Sequence, residues 1–201
     1  FFVTMEAENF DVNTPQGAHT WNEITTQAGY VGDSYMRAEP DSGTNNNTGY
    51  ETSSPHLEYQ VDFQTTGTPY VWVRGYSTDG TDDSVHAGLN GAVVSTADRI
   101  DVSSGAWAWT KATMDAIDAT VSIPSTGEHT IDIWMREDGF SIDRILLTTN
   151  AAYTPTGDGP SESSRGAASV PTPLTRTHDD QTDFDLGTYS DTQWATDHVE
   201  L

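Results

Sequence analysis

The chain contains no cysteine, which excludes disulfides and thiolate metal sites and leaves any reinforcement to packing or to an oxygen-bound cation. Cationic side chains are scarce: 8 Lys+Arg face 31 Asp+Glu, a net charge of −23. Such a field repels a phosphate backbone and an anionic membrane surface, so neither nucleic acid nor membrane is expected as a partner. No run approaches the about 18 apolar residues needed to cross a bilayer. Phe1-Phe2-Val3 has neither the basic flank nor the apolar length of a signal peptide, so the start reads as a mature or excised boundary. Nucleophile elbow, zincin, P-loop and dinucleotide motifs are all missing. His19, His56, His86, His129, His178 and His198 are scattered without ligand spacing and read as ordinary surface or loop residues.

What is present points to an all-β domain. Hydrophobic residues make up 34%, with eight Tyr and six Trp, too many for a disordered chain. The apolar runs are short and alternate with period two. In Leu57–Phe63 the odd positions are apolar and the even ones polar. In Tyr70–Tyr76, Val71 and Val73 take one face, and Tyr70, Trp72, Arg74 and Tyr76 the other. His129–Arg136 repeats the scheme, with Ile131, Ile133 and Met135 inward and Trp134 and Arg136 outward. Shorter strands are expected at Val3–Ala7, Val85–Leu89, Ile100–Val102, Thr120–Ile123 and Ile142–Thr148. Gly, Asn and Asp turns separate these runs, and no amphipathic helix of 10 or more residues is evident. The pattern predicts an antiparallel β-sandwich or jelly roll. Its domain is expected over residues 1–150, followed at 151–201 by a linker and tail rich in Pro, Gly, Ser and Asp.

Two constellations bear on function. The segment Met5-Glu6-Ala7-Glu8-Asn9-Phe10 places two carboxylates on alternate residues, and Gly139-Phe140-Ser141-Ile142-Asp143-Arg144-Ile145 places a third near the end of the patterned region. On their own these read as solvated charges on a strand face. The aromatic constellation comprises Trp107-Ala108-Trp109, after a Ser-Ser-Gly turn, and Tyr50, after an Asn-rich loop. Flat rings of this kind stack on the C–H face of a sugar. Either Trp could instead fill the core, and parity does not choose, because both lie on one side of a strand.

The opening EAEN, the closing G-x-x-I-D-R-I, the Gly43–Tyr50 loop, the Trp107-x-Trp109 segment and Gly127-Glu128-His129-Thr130, in that order and spacing, resemble carbohydrate-binding modules of families 6 and 35. The resemblance implies a structural calcium held by Glu6, Glu8 and Asp143, and a sugar flanked by Tyr50 and Trp107, with Trp109 as the alternative. Ser141 stands where that family carries an Asn that contacts the ligand, so polar contacts are expected from Arg136-Glu137-Asp138, with Arg74 and Asp83 on neighbouring segments. The competing reading for Arg74 and Arg136 is pairing with the abundant carboxylates. A monomeric, secreted or cell-surface module follows, binding a polysaccharide or oligosaccharide, tethered to a catalytic domain and itself non-catalytic. Two alternatives are a small polysaccharide hydrolase or lyase domain and a calcium-dependent adhesion module that binds protein.

Overall fold

A computed structural model describes residues 1–102 and 105–165. In chain order the strands are β1 (Phe2–Glu6), β2 (Val12–Thr14), β3 (Thr20–Ile24), β4 (Tyr35–Glu39), β5 (His56–Phe63) and β6 (Tyr70–Tyr76). They continue with β7 (Ser84–Leu89), β8 (Ala92–Val93), β9 (Ile100–Asp101), β10 (Ala108–Thr110), β11 (Gly127–Met135) and β12 (Ser141–Thr148). One helical turn, α1 (Tyr50–Ser53), precedes β5.

All pairings are antiparallel and form two sheets. The first runs β10-β6-β12-β4-β3, with β1 also on β12; the second runs β2-β5-β11-β7-β8, with β9 also on β7. The alternation read from the sequence is the cause: Leu57, Tyr59, Val61 and Phe63 meet Ile131, Ile133 and Met135 from the partner strand, then Val71, Val73, Ile142, Ile145 and Leu147 from the opposite sheet. The β-sandwich expected from period two is the architecture found.

Three details differ from expectation. Thr120 and Ile123 make only isolated bridges, to Tyr70 and Gly67. Strands β2, β3 and β4 lack clean alternation and escaped the pattern. Third, folded structure continues past residue 150, since the compact unit spans Phe1–Gly166. Ser163 exchanges hydrogen bonds with Thr4, its amide donating to the Thr4 carbonyl at 2.9 Å and its hydroxyl accepting from the Thr4 amide at 3.0 Å. Arg144 donates to the carbonyls of Asp158 and Pro160, both at 2.7 Å, and the Trp109 indole donates to that of Gly157 at 3.1 Å. Residues 151–165 therefore act as a strap that runs over the first sheet and ends on β5 of the second, where the Arg165 carbonyl accepts from the Asp62 amide at 2.9 Å, rather than as a linker. The remainder of the expected tail lies outside the described residues.

Candidate functional site

Strand β1 and the turn after it bring Glu6 and Glu8 to the loop at residues 29–34. Asp143 arrives from β12, where the pairing with β6 shifts register between Ile142 and Arg144. Gly32, at φ 78°, lets the loop lie directly on the acids: a Cβ there would sit 2.2 Å from Glu8 Oε1 and 3.5 Å from the Glu6 carboxyl carbon. Glu8 Oε1 accepts from the Asp33 and Ser34 amides at 3.0 and 3.4 Å, and Asp143 Oδ1 from the Val31 amide at 2.9 Å.

Two guanidiniums share the site. Arg74 Nη1 lies 2.5 Å from Asp143 Oδ2, and Arg144 grips Glu6 with two nitrogens. Burial pushes the Asp143 carboxyl up to about 6, against the pull of the Val31 amide and Arg74 and with a further push from Glu6. Burial likewise raises Glu8, and the charge of Glu6 adds to it. Glu8 Oε2 is buried without a hydrogen-bond partner. Both oxygens of Glu6 and of Asp143 are already taken, so the orphaned Glu8 oxygen is the one feature here that asks for a hard cation. Arg74 and Arg144 supply charge that compensates the other two acids.

The expectation that Arg74 and Arg136 face water is corrected: they are 5% and 7% exposed. The strap covers Arg74, whose Nε donates to the Gly157 carbonyl at 3.3 Å. The Asn-rich loop covers Arg136, which donates to Asn47 Oδ1 at 3.0 Å and to Ser84 Oγ and Glu137 Oε1, both at 2.6 Å. Pairing with carboxylates, the competing reading, is what both arginines do.

Glu137 and Asp138 are buried and employed as well, which corrects their expected role as ligand contacts. Asp138 Oδ2 accepts from the Ser42 amide and hydroxyl, both at 2.7 Å, and from His19 Nε2 at 3.0 Å; its Oδ1 accepts from the Gly43 and Thr44 amides at 3.1 and 2.9 Å. Burial raises this carboxyl, but the bonds from Ser42, His19 and Thr44 outweigh it and hold the group below the usual carboxylate range. Ser141 is also buried, on β12 between Arg37 and Tyr76.

The Asp83 amide donates to Glu137 Oε2 at 3.1 Å, and Asp83 Oδ1 is buried without a hydrogen-bond partner. Burial first, then the hydrogen bond and charge of Glu137, raise Asp83 to about 7. A raised native pKa means that the folded state holds the Asp83 proton more tightly than the unfolded state, so this contribution to stability falls as pH rises from about 4 to 7. After solvent screening about 1 kcal/mol remains, or about 2–4 °C in a chain of this size. Melting in chelator should therefore occur higher at about pH 5 than at about pH 8. Asp132, like Asp143, is raised to about 6, mainly by burial, and adds to the same slope. Asp83→Asn should reduce the pH difference without abolishing it; an unchanged difference would remove Asp83 from the account.

The expectation that Tyr50 offers an open ring is corrected too. It is 2% exposed and stacks on His86, ring centroids 3.7 Å apart, beneath the 41–49 loop. Trp109 is held by the strap, and a Cβ on Gly159 would fall 2.6 Å from its ring. Trp107 differs. Half-buried like Trp109, it donates from its indole to the Ala28 carbonyl at 3.0 Å instead of to the strap, and lies between Tyr35 (5.2 Å) and Tyr76 (5.5 Å), with the Arg74 guanidinium 5.5 Å from its ring. Tyr30 extends the group, 5.6 Å from Tyr35. Tyr30, Trp107 and Tyr76 keep part of their rings in solvent. Tyr30 escaped the sequence reading because it sits in an irregular loop; Tyr76 was on the outward face but had no partner in view. A separate shallow groove of about 480 Å³, lined by Ala18, Thr20, Asn22, Glu39, Pro40 and Asp41, contains no aromatic ring.

A family model for the glycosyl hydrolase family 115 C-terminal domain matches residues 2–162. The chain belongs to that family. The match of this family 115 C-terminal domain runs past residue 150 and takes in the strap through Glu162. The domain is 35% identical over 113 residues to protein P23 of Formosa agariphila, covering 52% of this chain and 27% of that protein. It thus spans about a quarter of that relative. Among solved structures it resembles the GH26-CBM35 β-(1,4)-mannanase of Podospora anserina at 26% identity and TM-score 0.53, over 77% of this chain and 29% of that one. Family 35 carbohydrate-binding modules share its fold. That of Clostridium thermocellum matches at 19% identity and TM-score 0.51 (75% of this chain, 99% of that), and that of Paenibacillus barcinonensis at 22% and 0.52 (73% and 98%).

Proposed function

We propose that this family 115 C-terminal domain is a non-catalytic module that binds a neutral polysaccharide or oligosaccharide. As a monomer tethered to a catalytic domain, it holds a secreted or cell-surface protein near its substrate by avidity. The observation that carries this reading is the half-exposed aromatic wall of Tyr30, Trp107 and Tyr76. Such a surface matches the C–H face of a pyranose. A net charge of −23 disfavours polyanionic glycans. The Podospora mannanase, whose name joins a hydrolase to a family 35 module, supports the tethered arrangement. Glu137, buried and held by Asn45, Ser84 and Arg136, is not presented to a substrate, which argues against the hydrolase alternative.

Calcium belongs to the same proposal. Glu6, Glu8 and Asp143 would hold it, and the ion would supply the positive charge that Glu8 lacks beside the 29–34 loop. A glycan array run in calcium and again in chelator tests both halves. Retention of a neutral glycan, with no reducing ends or unsaturated product released, is the expected result. Retention of protein ligands alone would favour the adhesion reading instead. Calcium at a hundredfold excess over its Kd should add about 2.7 kcal/mol to the native state. Equal melting temperatures in EDTA and in millimolar calcium would remove the metal from this site.

A further inference from the structure

The outward face of the second sheet holds a cluster that the proposed function does not use. Glu58 on β5 stands directly opposite Asp132 on β11, and His56 follows two residues before Glu58 on the same face. Like charges placed opposite each other across a strand pair are destabilising unless something neutralises them. The domain's other deeply buried acids are satisfied: Arg74 for Asp143, Arg144 for Glu6, Arg136 for Glu137, a ring of amides for Asp138, and the Ser77 and Thr78 hydroxyls with the Asp79 amide for Asp82. Asp132 is 1% exposed and, among the described residues, has no ion-pair partner. Its Oδ2 accepts from the Gly91 amide at 2.7 Å, while Oδ1 is buried with no partner.

The imidazole shows the same deficit. His56 Nε2 bonds Glu58 Oε1 at 2.8 Å, whereas Nδ1 is buried and unpartnered. One ligand atom from each of the three residues lies within 4.8 Å of the others, the single such set of three among the described residues. The Trp134 ring, 5.7 Å from His56, closes one side. It can lie flat there because Gly88 opposite Asp132 has no side chain; a Cβ would fall 2.3 Å from the indole. His56 at 16% and Glu58 at 29% side-chain exposure leave an entry from solvent.

We propose that His56, Glu58 and Asp132 form a binding site for a divalent cation of the zinc class. One imidazole and two carboxylates are a donor set that suits Zn²⁺, with water completing the shell, whereas Ca²⁺ favours oxygen ligands alone. Zinc ligands sit about 2.0–2.2 Å from the ion, so side-chain rotation alone has to draw the three groups together. The ion pins β5 to β11 at the centre of the second sheet and cancels the opposed charges. The His56-x-Glu58 spacing carries this only because β11 delivers Asp132 beside it, which explains why the histidines looked isolated in the sequence.

The test uses the full chain, stripped by chelator and free of any affinity tag. Calorimetric titration should show one Zn²⁺ bound more tightly than Ca²⁺ or Mg²⁺ by this site. His56→Gln should weaken it at least about tenfold, since even loss of an outer partner of a metal ligand costs about 10- to 100-fold. Affinity unchanged in that variant places the zinc on another histidine and overturns the assignment. Crystals of the unaltered chain soaked in zinc give a reading that does not depend on any variant folding. An anomalous peak among the three side chains supports the site; no peak there overturns it. Glu8→Gln should leave zinc binding intact, which keeps failure here distinct from failure of the calcium proposal.

Discussion

Asp138→Ala is expected to be the most damaging single substitution outside the apolar core, lowering stability by about 3 kcal/mol or more. One buried carboxylate accepts five hydrogen bonds, three of them from consecutive backbone amides at Ser42, Gly43 and Thr44. Removing a buried charged partner typically costs about 3–5 kcal/mol, because the donors left behind have already shed their water. Rehydration of an exposed loop returns part of this, which is why the lower end applies. In a chain of this size the loss corresponds to about 6–12 °C in melting temperature. Asp138→Asn keeps one acceptor oxygen and should fall between the two. The same carboxylate orders the Asn-rich loop that covers Arg136 and Tyr50, so hydrogen exchange at residues 42–47 should accelerate in Asp138→Ala. A melting temperature within about 2 °C of the parent would show that the loop stands without it.

Trp107→Ala should reduce affinity for a glycan found by array about thirtyfold or more, because loss of a binding hot spot costs at least about 2 kcal/mol. Trp109→Ala should do the reverse. Its indole is spent on the Gly157 carbonyl and its ring lies against Gly159, so its removal loosens the strap and lowers stability with little change in affinity. The two tryptophans are two residues apart, Trp107 just before β10 and Trp109 within it, and only their neighbours distinguish them. If Trp107→Ala binds within threefold of the parent, the aromatic wall is not the sugar site. Arg74→Ala would report on Asp143 rather than on ligand charge, since the guanidinium is buried against that carboxylate.

The sequence by itself determined the fold class, because a side-chain period of two along Leu57–Phe63, Tyr70–Tyr76 and His129–Arg136 admits few structures other than a half-buried sheet. It also marked the two ends of the acidic site, since Glu6, Glu8 and Asp143 lie in local motifs. What alternation leaves open is whether an outward face meets water or another piece of the chain. Trp72, Trp134, Arg74 and Arg136 were all on outward faces by alternation and all are buried. The covering residues come from far along the chain: Asn47 reaches Arg136, and Gly157 reaches Arg74. Contacts at such separations leave no periodic trace. Only the tertiary structure therefore separated Trp107 from Trp109, turned the expected linker into a strap, and set Asp132 beside His56 and Glu58. Each of these depends on which strand became the neighbour of which, a matter of sheet order rather than of local pattern.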